Sequence, residues 1–126
     1  MPKVLYHHTD LESTLHILIS GQINKSTDPK HARFGPGVYL TEINQYASVK
    51  EILINNYDDA ASKKQMKKLI EKRGERTQVC IELKISSRLF KENVEECDTK
   101  RNVFLYKGDL ILADMDDVSY HVRDDE

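Results

Sequence analysis

The sequence predicts an α+β domain in which most strands pair antiparallel. Three observations carry that reading. A strand and a capped helix open the chain, a second strand and helical stretches follow, and the last third is strand-rich instead of alternating strand with helix. Val79, Ile81, Leu83 and Ile85 alternate with Cys80, Glu82 and Lys84, the period of a half-buried strand. No repeat, low-complexity stretch or linker divides the 126 residues, so a single domain over 1–126 is expected.

Lys3 to His8 is short, partly apolar and bounded by turn-formers, and reads as the first strand. Thr9 and Asp10 are good N-cap residue types, and Thr9 with Glu12 fits a capping box. Leu11, Leu15, Leu18 and Ile19 recur at helical spacing and give the helix one apolar face, which Gly21 ends. Gln22 to Lys25 predicts a short extended piece, and Ser26 to Phe34, with Pro29, a loop. Gly35-Pro36-Gly37 then turns the chain into a strand, Val38-Tyr39-Leu40-Thr41. Apolar residues at Ile43, Tyr46, Ala47, Leu53, Ile54 and Tyr57 predict a helix, and Asp58-Asp59 either breaks it or caps the next one. A basic helix follows over Ala60 to Lys72, with Met66, Leu69 and Ile70 inward and Gly74 at its end. Beyond the alternating strand, Val103 to Tyr106, Leu110 to Ala113 and Ser119 to Val122 predict further strands, with Lys107-Gly108 as a turn.

Composition narrows the function classes. At 39% hydrophobic and 32% charged residues the chain is globular, not disordered. No apolar run approaches the ~18 residues of a membrane span. The opening MPKVLYHHTD has no secretory signal. The expected site of action is cytoplasmic, in the producing cell or after delivery into a target cell, with no membrane partner. Two cysteines, Cys80 and Cys97, exclude a disulfide scaffold and a four-thiolate zinc site. The common nucleotide-loop and zinc-helix signatures are absent. The net charge of −2 conceals an uneven distribution. Lys63, Lys64, Lys67, Lys68, Lys72, Arg73 and Arg76 cluster in mid-chain, whereas Asp109 to Glu126 is acidic. The basic run reads as a solvated helix face or as a contact surface for an acidic partner such as nucleic acid. The acidic end reads as a solubilising tail.

Three features carry chemistry. His7 and His8 are neighbours on a strand, so they point to opposite faces and do not chelate one metal together. One reading is a core and a surface histidine; the other is a fixed hydrogen-bonding group at a strand end. Gly35-Pro36-Gly37 is either a plain turn or backbone left open to a ligand, with Tyr39 projecting from the strand beyond. Asp98, Asp109 and Asp114 lie near the late strands. No Ser-His-Asp or Cys-His-Asn arrangement is recognisable.

His7-His8-Thr9 and Phe34-Gly35-Pro36-Gly37-Val38-Tyr39-Leu40-Thr41 together resemble the histidine–tyrosine branch of the ADP-ribosyltransferase superfamily. The resemblance is strongest to its toxin-type domains with an H-Y-D signature. In that branch a first strand carries H-x-T, and a later one carries F-G-x-G-[VI]-Y-[FL]-[TA]. The resemblance implies a split, mostly antiparallel β-sheet with flanking helices that clamps NAD⁺ as substrate, without a metal. It implies mono-ADP-ribosyl transfer to a protein or nucleic-acid acceptor by a toxin or effector, with an immunity or antitoxin partner.

Carried over by residue, His7 matches the histidine that hydrogen-bonds a ribose hydroxyl. His8 stands where glycine is common and where the main chain holds the nicotinamide carboxamide. Thr9 supports the site, Gly37 belongs to the glycine turn, Tyr39 stacks on nicotinamide, and Tyr46 supplies a second ring. Polymerases of the superfamily carry a glutamate in N-E-Y-[IV]-V-Y. Asn102-Val103-Phe104-Leu105-Tyr106 puts Val103 at that place, which implies single transfer with a different acid. Asp109 is the first choice, followed by Asp98 and Asp114. Two other readings stay open. One is an RNA 2′-phosphotransferase, for whose arginine-rich site Arg33 is the only early candidate. The other is a non-catalytic NAD⁺- or ADP-ribose-binding module, which would release no nicotinamide.

Overall fold

In the computed structural model, which describes residues 2–27, 34–56, 67–68, 70–72, 74–98 and 102–123, every described strand pair is antiparallel. The elements run β1 (Lys3–Thr9), α1 (Leu11–Ser20), β2 (Gln22–Ile23), β3 (Val38–Leu40) and α2 (Val49–Asn56). A 3-10 turn (Gly74–Thr77), β4 (Val79–Ile85), α3 (Ser87–Asn93), β5 (Val94–Asp98) and β6 (Val103–Tyr106) follow. The chain continues through β7 (Leu110–Ile111), a 3-10 turn (Leu112–Asp114) and β8 (Asp117–Val122).

The strands form three small sheets, β1-β4-β8, β2-β7 and β3-β6-β5. Two isolated bridges, Tyr6–Thr41 and Ser26–Gly37, tie β1 and the segment after β2 to the β3 strand. The α+β class is as expected. Val79, Ile81, Leu83 and Ile85 are all buried on β4, the centre of its sheet, so the alternation marks the core face. Leu5, Val38, Leu40, Phe104 and Leu110 meet them in one cluster. Each such side chain contributes roughly 1.5–3 kcal/mol of burial.

Several local expectations are corrected. Thr9 ends β1 opposite Val79, so it does not cap α1. Asp10 does, its Oδ1 accepting the Ser13 N–H at 2.6 Å. Leu11, Leu15, Leu18 and Ile19 are exposed, and Thr14 and Ile17 face the core instead. α1 leaves β1 directly and re-enters β2 through left-handed Gly21 (φ 75°). These short connections fix which side of the helix meets the sheets.

The helix expected from Ile43 starts only at Val49. Upstream, Thr41 Oγ1 accepts the Ile43 N–H at 3.1 Å and Asn44 Oδ1 the Tyr46 N–H at 3.0 Å. Those side chains take the donors a helix would otherwise use. Ser48 then caps α2, its Oγ accepting the Glu51 N–H at 3.1 Å. α3 and β5 are additional to the elements expected from the sequence; Ser86 caps α3 by accepting the Leu89 N–H at 3.2 Å. The extended piece at Leu110 lasts two residues before its 3-10 turn. Lys67, Lys68, Ile70, Glu71 and Lys72 are helical and exposed, Ile70 included. The rest of the expected basic helix, Arg33, Tyr57, Asp58, Asp59 and the last three residues lie outside the described residues.

Gly37 is required by space. A Cβ there would come within 2.5 Å of both the Leu105 Cδ1 and the Tyr106 carbonyl oxygen. The carbonyl belongs to the β3–β6 ladder and has nowhere to retreat. Gly37→Ala is expected to destabilise the protein by about 1–3 kcal/mol through overpacking. Denaturant melts check this, and an unchanged midpoint would refute the close approach.

Candidate active site

β1 and β3 share main-chain bonds only at Tyr6 and Thr41: Tyr6 N–H donates to the Thr41 carbonyl at 2.7 Å and Thr41 N–H returns to the Tyr6 carbonyl at 2.9 Å. Beyond that bridge, toward Thr9 on one side and Val38 on the other, the ladder stops. There the His7 imidazole crosses the gap, with Nδ1 3.2 Å from the Tyr39 carbonyl oxygen. A carbonyl only accepts, so Nδ1 carries the proton. Burial pushes the His7 pKa down to about 4, although the Tyr39 bond and Asp10 act the other way. The residue keeps an edge at the surface, so its ring is densely surrounded yet reachable. At neutral pH His7 is therefore uncharged, and Nε2 offers a lone pair suited to a ligand hydroxyl.

Tyr39 is held at its far end. Its hydroxyl accepts the Phe34 N–H at 2.8 Å and donates to the Gly35 carbonyl at 2.9 Å. The Phe34 ring lies 6.5 Å away, tilted by 34°. The glycine turn thus locks the tyrosine ring, and the tyrosine carbonyl locks His7. Gly37 sits beneath this pair, bonded to Ser26 in both directions. Thr9 is buried at the end of β1.

Two charged residues to which the sequence gives other roles, Asp10 as a helix cap and Arg76 as part of the basic run, lie close to His7. Asp10 and Arg76 both act on its ring electrostatically. Arg76 Nε lies 3.8 Å from Asp10 Oδ2. Burial raises the Asp10 pKa, but the bonds from Ser13 and the Arg76 charge outweigh it and hold the carboxyl below its usual range. Nothing local in the sequence joins residue 76 to residue 7; the packing of the Gly74–Thr77 turn against β1 does.

His8 and Tyr46 meet elsewhere. His8 Nε2–H donates to the Ile43 carbonyl at 2.7 Å, across the opposite face of β1 from His7. Both residues line a cavity of about 600 Å³ together with Cys80, Tyr120, His121 and Arg123. Burial lowers the His8 pKa and raises the Cys80 thiol to about 12, so both are neutral. Among the described residues, His8 Nδ1 and Gln45 Oε1 are buried without a hydrogen-bond partner. Tyr46 is 86% exposed at this cavity, and among the described residues the ring paired with Tyr39 is that of Phe34, not Tyr46.

Of the three acids, Asp109 follows the Gly108 turn (φ 83°), and its Oδ1 accepts the Lys25 N–H at 2.7 Å. Lys25 precedes Ser26, which is bonded to Gly37, so Asp109 is linked through two contacts to the base of the glycine turn. Asp114 is exposed and acts electrostatically on Tyr106. Asp98 stands at a bulge of β5, opposite Val103; its side chain lies outside the described residues. Val103 is buried in β6. No cluster of three or more His, Cys, Asp or Glu among the described residues has the geometry of a metal site.

The loop after β3 is anchored by a polar knot. Asn102 Oδ1 accepts the Glu42 N–H at 2.6 Å, and Asn102 N–H donates to Asn55 Oδ1 at 2.7 Å. Asn55 Nδ2 donates to the Thr41 hydroxyl at 3.2 Å and to the Asn102 carbonyl at 2.8 Å. α2 and the start of β6 therefore pin the residue at which β1 and β3 part. No helix among the described residues is long and apolar enough to cross a membrane.

A family model described as an HYD1 signature containing ADP-ribosyltransferase matches residues 5–114, a span holding His7, Thr9, Tyr39 and Asp109. No curated protein and no solved structure matches the chain.

Proposed function

The chain belongs to the HYD1-signature ADP-ribosyltransferases, and from that premise we propose that it cleaves the nicotinamide–ribose bond of NAD⁺ and transfers one ADP-ribose to a protein or nucleic-acid acceptor. The observation that carries the reading is His7. A neutral imidazole, its Nδ1–H committed to the Tyr39 carbonyl, leaves Nε2 as an acceptor for a ribose hydroxyl beside the tyrosine ring.

The reaction asks for little more. The C–N bond breaks, nicotinamide leaves neutral with the electron pair, and positive charge grows on the ribose as in glycoside cleavage. The acceptor's lone pair then closes on C1 of the ribose and its proton is lost. Holding the ribose at His7 and the nicotinamide against Tyr39 fixes the reacting geometry in advance. A carboxylate near the ribose would stabilise the developing charge, and Asp109 takes that role in this reading. Its connection to the glycine turn supports it over Asp98 and Asp114. Val103, an apolar residue where polymerases carry their glutamate, supports single transfer. The toxin role and an immunity or antitoxin partner follow from the family's character and belong to the same proposal.

The test is incubation with NAD⁺ labelled in the adenylate half, with free nicotinamide measured and label partitioned between protein and nucleic acid. Absence of both nicotinamide and transferred label would sink the reading. Asp109→Asn should lower kcat by about 10²–10³-fold, with little change in melting temperature, because an Asn Oδ1 still accepts the Lys25 N–H. If Asp109→Asn is fully active, the acid is not Asp109, and the same substitution at Asp98 and Asp114 identifies it.

A further inference from the structure

Arg76 stands out among the charged groups near His7 because, among the described residues, its guanidinium makes a single ion-pair contact. That contact is through Nε, at 3.8 Å from Asp10 Oδ2, too long for a strong hydrogen bond. Among the described residues its two terminal nitrogens have no partner, and the side chain is half exposed. Asp10 is occupied on its other oxygen by the Ser13 N–H. The pair is thus a loosely held arginine at the rim of the His7 gap, carried on a 3-10 turn that packs against β1.

We propose that Arg76 binds the pyrophosphate of the dinucleotide, its free N–H fork taking phosphate oxygens while His7 holds the adjoining ribose. This rests on the reading that NAD⁺ is the substrate, and it deepens that reading by naming how the chain recognises the ADP-ribose half. The chemistry fits: a planar fork of donors matches phosphate oxygens bidentately, and the bond is charge-assisted. The ribose and its 5′-phosphate are adjacent groups, so a ligand hydroxyl at His7 Nε2 brings the phosphate to the same rim. Asp10 then has a second function. Its carboxylate holds the guanidinium near His7 through Nε and leaves the two terminal nitrogens to the phosphate.

The experiment compares the wild type with Arg76→Ala and Arg76→Lys for three quantities: KM for NAD⁺, Kd for ADP-ribose, and Kd for nicotinamide. Arg76→Ala is expected to raise the first two by about tenfold or more and to leave the third and kcat within about threefold. Arg76→Lys should recover part of the loss, because a point charge replaces the fork. Unchanged ADP-ribose affinity in Arg76→Ala overturns the proposal. Equal weakening of nicotinamide and ADP-ribose also overturns it, since that pattern marks a structural role. If the wild type itself binds no ADP-ribose and releases no nicotinamide, the NAD⁺ reading fails first, and that outcome is separate from the other two.

Discussion

His7→Ala is expected to lower kcat/KM for NAD⁺ by about a hundredfold or more, because the ribose loses the group that positions it. The variant should fold. The imidazole substitutes for a single strand-to-strand bond, and leaving the Tyr39 carbonyl unpartnered costs about 1 kcal/mol. Melting temperature and nicotinamide release measured on the same preparation separate the two effects. Full activity in His7→Ala would remove the central residue of the proposed site.

The pH profile gives an independent check on His7. Its folded pKa of about 4 lies below the ordinary value of 6.5, so the unfolded chain binds more protons between those values. The stability associated with neutral His7 is complete above about pH 6.5. It is lost as pH falls from there through the folded pKa of about 4. Activity that depends on the neutral Nε2 acceptor should show no break near pH 6.5. A sharp loss there would mean that His7 titrates as an ordinary surface histidine.

Tyr39→Ala removes the ring that the nicotinamide would stack on. Stacking of a heterocycle on an aromatic side chain is worth about 1–3 kcal/mol, which predicts a fall of roughly five- to 150-fold in kcat/KM. Tyr39→Phe separates the ring from the hydroxyl. It keeps the stacking surface but leaves the Phe34 N–H and the Gly35 carbonyl without the partner they share. It should cost about 1 kcal/mol of stability and only a few-fold in activity. Near-equal activity loss in Tyr39→Phe and Tyr39→Ala would mean that Tyr39 works by anchoring the glycine turn, not by stacking.

What could be read from the chain depended on how local the physics was. The β4 alternation needs no partner to be recognised, because period two follows from the pleat itself. Gly21, Gly35-Pro36-Gly37 and Gly108 announce turns for the same reason: their backbone preferences are their own. Those signals, with the histidine and tyrosine motifs, suffice to place His7 and Tyr39 on the strands that are β1 and β3 and to name the family. Where side chains compete with the main chain, local pattern does not decide the structure. Thr41 and Asn44 hold residues 43–48 out of a helix, and of the two cap candidates Asp10, not Thr9 with its capping box, holds the start of α1. The apolar stripe of α1 shows the limit most clearly, since helical spacing groups Leu11, Leu15 and Leu18 but does not say which side of the helix meets the sheets.

By itself, then, the sequence determined the α+β class, the positions of the glycine turns, the neighbouring histidines and the family to which they belong. Tertiary structure decided which of those histidines reaches Tyr39, that His8 and Tyr46 share a cavity on the other face, and that Asp10 and Arg76 stand beside His7. Strand alternation is a property of consecutive residues. The gap between β1 and β3, and the arginine at its rim, exist only because segments far apart in the chain are brought together by burial of a common core.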